Sequence, residues 1–280
     1  MTFFTAPTRL IRVLTLLGLC LPLLLQANVS VVAAGEQADV RLTSGHWPPY
    51  FDQDAPHQGL LSRIISLAFA QSGLEVRYEF LPWSRSLMMA SRAPWQGSAA
   101  WSCRPALTGR FLYSQPLIPH NYVLFHRRSM PLEWQGLTDL QSLRLGLTQD
   151  YFYGRQVGDA ILAGLLGVDV ARSDEINFRK LAAGRIDLFP MEPAVGLKML
   201  EELGLAAEIT YHPRPIETNH LYLLLNRSDP ASERLMTAFN EGLTQLRESG
   251  KLEQILAAGF TDLPARLKPT PAEMATTACP

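Results

Sequence analysis

Four aromatic residues, Trp47, Tyr50, Trp83 and Trp101, stand at or just beyond short β-rich runs. Ring faces in such places can stack on a ligand or cover a cation, although for any single ring the commoner role is core packing. The segment 149–154, which carries Tyr153, leads into a helical pattern, and the free N–H groups of a helix start form a ready anion site. Six histidines, at 46, 57, 120, 126, 212 and 220, show no paired metal-ligand spacing. The sequence has no Gly-flanked serine nucleophile and no phosphate loop. Only Glu192 and His46 qualify as acid–base groups, and neither has a partner that the sequence can locate. This set of residues favours binding a small molecule over turning one over. It implies no cofactor, no metal and no catalytic residue.

The elements that must position these residues alternate β-rich runs with helical periodicity, which argues for an α/β fold with largely parallel sheets. Strands are expected at 40–43, 75–81 and 98–102, with helices at 60–72 and 83–92. The first helix carries Leu61, Ile64, Ile65, Ala68 and Phe69 at helical spacing and stops at Gly73. A comparable unit begins again at 143–147. It continues through helix 154–165, strand 168–171, helix 176–183 and strand 186–189, then helix 193–203 and strand 208–211. A restarted pattern implies two sheets and two lobes. Strand 220–226 follows, and Asp229-Pro230 opens a long helix to about 249, Asp being a good N-cap and Pro suiting the first turn. Gly250 breaks it before a last helix at 251–258.

The chain of 280 residues opens with Arg9 and Arg12, an apolar run over 13–25 and small residues through Ala33 and Ala34. That order is a secretory signal peptide cleaved after Ala34. The run is too short to cross a hydrocarbon core, which needs about 20 helical residues. Cys20 follows Leu19, where a lipid-attachment pattern wants a small residue. With a formal net charge of −1 and no Lys/Arg runs, the chain has no electrostatic footprint for nucleic acid or an anionic membrane. Small molecules are therefore the default partners. Cys103 and Cys279 remain after processing; an oxidising compartment permits their pairing, but sequence alone leaves it open.

Taken in order, seven pieces of the sequence look familiar. They run from Thr43-Ser44-Gly45-His46-Trp47-Pro48-Pro49-Tyr50 through Leu81-Pro82-Trp83 and Trp101-Ser102, then Thr108-Gly109-Arg110 to Tyr113-Ser114-Gln115-Pro116. Further on come Leu145-Gly146-Leu147 with Tyr153-Gly154, then Ala183-Gly184-Arg185-Ile186-Asp187, and finally Phe239-Asn240-Glu241-Gly242-Leu243 with Ser249-Gly250-Lys251. Together they resemble the family 3 extracellular solute-binding proteins of bacterial ABC transporters, the amino-acid-binding group. The resemblance implies the type II periplasmic-binding-protein fold, in which two α/β lobes joined by two hinge strands close over a ligand in the cleft between them. Strands 122–126 and 217–222 would be the hinge. Lobe 1 would comprise 35–124 and 220–262, lobe 2 would comprise 125–219, and a C-terminal tail 263–280.

The resemblance also implies residue roles. Arg110 would clamp the ligand's α-carboxylate, since a planar guanidinium offers it two parallel donors. Glu192 would receive the α-ammonium from the other lobe, although Glu stands there where Asp is usual and Pro190 and Pro193 flank it. Ser102 would donate to the same carboxylate, and Trp47, Trp101, Tyr50, Trp83 and Tyr153 would complete the ligand-binding set. Cys103 and Arg104 replace the family's small polar residues, and Ser44 stands where binders of basic amino acids hold an acid. The implied function is capture of an amino-acid-like or carboxylate ligand in the periplasm by a monomer serving an ABC permease or a membrane sensor. The alternatives are a dehydratase-type enzyme on the same fold and an orphan ligand sensor.

Overall fold

Strand β1 (Asp39–Ser44) alternates into the core through Val40 and Leu42, and the chain then passes to α1 (Leu60–Ala70). The helix buries Leu61, Ile64, Ile65, Ala68 and Phe69, the stripe its spacing predicts. Gly73, at φ +69, ends the turn that leads to β2 (Glu75–Phe80). Next come α2 (Trp83–Met89) and β3 (Gly97–Ser102), and both β2 and β3 pair parallel with β1. A short α3 (Pro105–Thr108) and β4 (Phe111–Tyr113) precede the long β5 (Ile118–Arg127). The computed structural model describes residues 39–261, 263–265, 268 and 279. The leader expected over 1–34 and most of the tail expected over 263–280 lie outside the described residues.

The second lobe repeats the plan with β6 (Arg144–Thr148), α4 (Arg155–Leu162), β7 (Gly167–Ala171), α5 (Asp174–Ala182), β8 (Phe189–Met191) and α6 (Pro193–Glu202). Strands β6 and β7 pair parallel, and a bridge from Leu145 to Leu188 ties β6 to the approach of β8. The chain returns through β9 (Ile209–Asn226), α7 (Ser232–Glu248) and α8 (Lys251–Gly259).

Strands β5 and β9 run antiparallel from one lobe into the other, in a seven-stranded sheet ordered β2-β1-β3-β9-β5-β8 with β4 also on β9. The sheets are therefore mixed, because every partner of β9 is antiparallel to it. The two separate strands expected at 208–211 and 220–226 are one strand of 18 residues. Their apparent break is a local irregularity. The ladder shifts register at Tyr122, Val123 and Leu124, opposite Pro213 and Pro215, which have no N–H to give to a ladder. The long helix also starts later than expected. Asp229 accepts from the Ala231 N–H (2.8 Å) in a turn, and the Ser232 hydroxyl donates back to the Asn226 carbonyl (2.7 Å). Cys103 and Cys279 are joined by a disulfide, which closes the question the sequence left open.

Candidate functional site

The end of β3 supplies the first wall. Its ladder with β9 slips between Ser98 and Trp101, and such bulges re-aim side chains. The Trp101 indole N–H donates to Ser98 Oγ (2.8 Å), whose hydroxyl donates in turn to the Thr43 carbonyl (2.9 Å), so a buried polar chain fixes the ring. Trp83, first residue of α2, meets Trp101 edge to face at 5.3 Å and Trp47 at 6.4 Å. Gly45 makes that approach possible, since any Cβ there would strike the Trp83 ring.

Arg104 follows immediately, between Ser102 and the start of α3. Its guanidinium lies 5.4 Å from the Trp101 ring centre and 4.9 Å from that of Phe152, which belongs to the loop after β6 in the other lobe. Nε has no hydrogen-bond partner, and no carboxylate pairs with the group among the described residues. Burial pulls its pKa below the usual arginine range. His120, on β5, places Nδ1 3.4 Å from Ser102 Oγ, while Nε2 is buried without a partner. Burial, with a smaller contribution from His220, lowers its pKa to about 3, so the ring is neutral at physiological pH.

These groups line one cleft between the lobes, together with Ala100, Tyr122, Asp150, Tyr151 and Leu221. It encloses about 420 Å³ between protein atoms, part of it open to solvent. The loop of the second lobe is pinned from behind: Tyr151 and Thr148 donate to the Asp174 carboxylate at 2.9 and 2.5 Å.

Of the residues singled out from sequence, Trp47, Trp83, Trp101 and Ser102 come together in this cleft. Tyr50 stacks behind Trp47 at 4.8 Å and donates its hydroxyl to Glu192 Oε1 (3.0 Å). Glu192 caps α6, its Oε2 accepting from the Val195 N–H (2.9 Å). Burial raises its pKa to about 7 against the pull of these hydrogen bonds. Both oxygens are thus engaged away from the cleft lining. Tyr153 is buried between Tyr122 and Tyr151, and its hydroxyl accepts from the Thr148 N–H (2.7 Å). The helix start beyond it is occupied by the protein itself, because Gly154 packs against the Glu217 carboxylate.

Arg110 lies outside the lining of the cleft. It is exposed, donates to Ser91 Oγ (3.1 Å) and covers Phe111. The reason is local: α3 carries the chain away from the cleft before residue 110 is reached, leaving Arg104 as the cation at its mouth. Sequence reasoning missed Arg104, His120, Tyr122, Tyr151 and Phe152 as lining residues. For Arg104 a signal existed, a bulky cation next to Ser102 where the resembling family is small and polar. The others had none beyond lying in the hinge strand or in segment 149–154.

No protein-family model matches the sequence, and no curated protein matches it. Solved structures do match in fold. A histidine kinase sensor domain with similarity to periplasmic binding proteins aligns with a TM-score of 0.69 at 20% identity, covering 79% of this chain and 96% of that one. The GluR0 ligand-binding core from Nostoc punctiforme, in complex with L-glutamate, aligns at 0.63 and 15%, covering 79% and 99%. An amino acid ABC transporter substrate-binding protein from Streptococcus pneumoniae, bound to L-arginine, aligns at 0.66 and 14%, covering 80% and 95%. The fold is that of the two-lobed periplasmic binding proteins. Among the described residues no helix is long and apolar enough to cross a membrane.

Proposed function

We propose that this chain is a solute-binding protein that captures a small carboxylate-bearing ligand between its lobes and presents it to an ABC permease of the inner membrane. The observation that carries this reading is Arg104, a half-buried guanidinium whose buried Nε is unpaired and which lies between aromatic rings from both lobes. A partly desolvated cation without a counter-ion is costly, and a ligand carboxylate would supply the missing partner. Lobe boundaries near 124 and 220, export by a cleaved leader, periplasmic residence and a monomeric state belong to the same proposal.

Capture without turnover is the better account of the acid–base groups. Glu192 is engaged by Tyr50 and the start of α6, and His46 is exposed outside the cleft lining. One observation favours a second reading, a sensor that reports the same ligand to a membrane partner: a kinase sensor domain is among the similar structures. The test is a thermal-shift screen of the exported protein against amino acids, dicarboxylates and aromatic acids, with product analysis of each hit. A bound ligand at about 100 times its Kd adds roughly 2.7 kcal/mol of stability. A shift with the compound recovered intact is expected. Turnover of the hit, or no shift across the panel, would overturn the capture reading.

A further inference from the structure

The geometry points to a planar aromatic carboxylate without an ammonium group as the ligand of this cleft. The inference rests on the capture reading and narrows it to one chemical class. Its first support is the distribution of charge. Arg104 is the one cation in the lining, and the only carboxylate there, Asp150, is exposed. Of the acids nearby, Glu192 is engaged by Tyr50 and the Val195 N–H, Asp174 by Thr148 and Tyr151, and Glu217, whose Oε2 is buried without a partner, packs against Gly154 outside the lining. An ammonium group carried into the cleft would lose its water and find no buried counter-ion in the lining. It would also share the space with a guanidinium of the same sign.

The second support is shape. Trp47, Trp83, Trp101 and Phe152 wall a cleft of about 420 Å³. Aromatic walls that present both faces and edges suit a flat ring. A bulky quaternary ammonium needs a cage with free ring faces, and the Arg104 guanidinium already lies against Trp101 and Phe152.

The third support is a set of unused polar atoms. Trp47 Nε1, Arg104 Nε and His120 Nε2 are all buried without partners, and all three side chains line this one cleft. Trp47 is 6% exposed and His120 4%. Buried polar groups are normally satisfied, so orphans that converge on a single space mark where a ligand's polar atoms belong. A carboxylate on Arg104 and a ring oxygen or second carboxylate oxygen near Trp47 would use them.

The experiment is calorimetric titration of the exported protein with benzoate, 4-hydroxybenzoate and indole-3-acetate, beside phenylalanine, tyrosine, tryptophan and glycine betaine. At least one aromatic acid is expected to bind at least about tenfold tighter than every amino acid and the betaine, the factor that one modest unpaired polar contact produces. Arg104→Ala, checked for folding by circular dichroism, should weaken it at least about 30-fold. Arg104→Lys should not restore it, because a point charge does not copy the planar fork. Arg110→Ala should leave it unchanged. Tighter binding of an amino acid or of the betaine would overturn the ligand class while leaving the capture reading intact. Aromatic binding indifferent to Arg104→Ala would overturn the site, and silence across all seven compounds would overturn both.

Discussion

Glu192 sits in a position where burial and hydrogen bonding pull in opposite directions, and burial wins: its pKa rises from 4.5 to about 7. The stability consequence follows from proton counting. Between those values the folded protein still holds the proton while the unfolded chain has released it, so stability falls as pH rises from about 4.5 to about 7 and is flat beyond. The displacement corresponds to a loss on the order of 3 kcal/mol. His120 works the other way, since its folded pKa of about 3 removes stability as pH falls from 6.5. Comparing wild type with Glu192→Gln cancels the histidine, because both proteins carry it. Urea unfolding at pH 4.5 and 7.5 should show the wild type losing ground to the variant as pH rises; parallel stabilities would mean that folding leaves the Glu192 pKa unshifted. At this scale the sequence was only partly legible. Trp47, Trp83, Trp101 and Ser102 reach the cleft because strand ends place them there, which periodicity reveals. That Arg104 and not Arg110 lines the cleft was hidden because the short helix and glycine between them decide which guanidinium turns inward.

Elements were more readable, and where they were misread the cause was local, Pro213 and Pro215 inside β9 and the side-chain chemistry at the start of α7. The stripe of α1 was plain because its burial follows from spacing alone. The start of α7 was not, because Asp229 and Pro230 suit a turn as well as a cap. Glycines inside helices test how far packing overrides propensity. Gly242 of α7 lies against the Ala68 carbonyl of α1, so a methyl group there must push the helices apart. Gly242→Ala is expected to destabilise by about 1–3 kcal/mol, outweighing the gain in helix propensity of about 1 kcal/mol. Gly158 of α4 has nothing within contact of the same methyl, so Gly158→Ala should stabilise by about 0.5–1 kcal/mol. Thermal unfolding of the two variants should move Tm in opposite directions. Equal shifts would show that the α1–α7 contact yields more easily than a backbone carbonyl should.

At the scale of the molecule, the repeated strand–helix pattern disclosed two lobes, but not how they touch, because contacts across a cleft leave no periodicity in the chain. Contacts that cross it include the Arg104 guanidinium over Phe152 and the Tyr50 hydroxyl donating to Glu192 at 3.0 Å. The second requires no ligand, so it should bias the free protein toward closure. A hydrogen bond to a charged acceptor contributes about 1.5–3 kcal/mol, and one to a neutral acceptor about 1. Tyr50→Phe keeps the ring on Trp47 and removes only the donor. With the tie gone, the open state gains population, and apparent affinity falls by the fraction of molecules no longer competent to bind. Small-angle scattering should then give a larger radius of gyration for the free variant than for the free wild type, converging once ligand is saturating. The same radius for both free proteins would mean that closure is held by the ring stack at Arg104, leaving the Tyr50–Glu192 bond to follow closure without driving it.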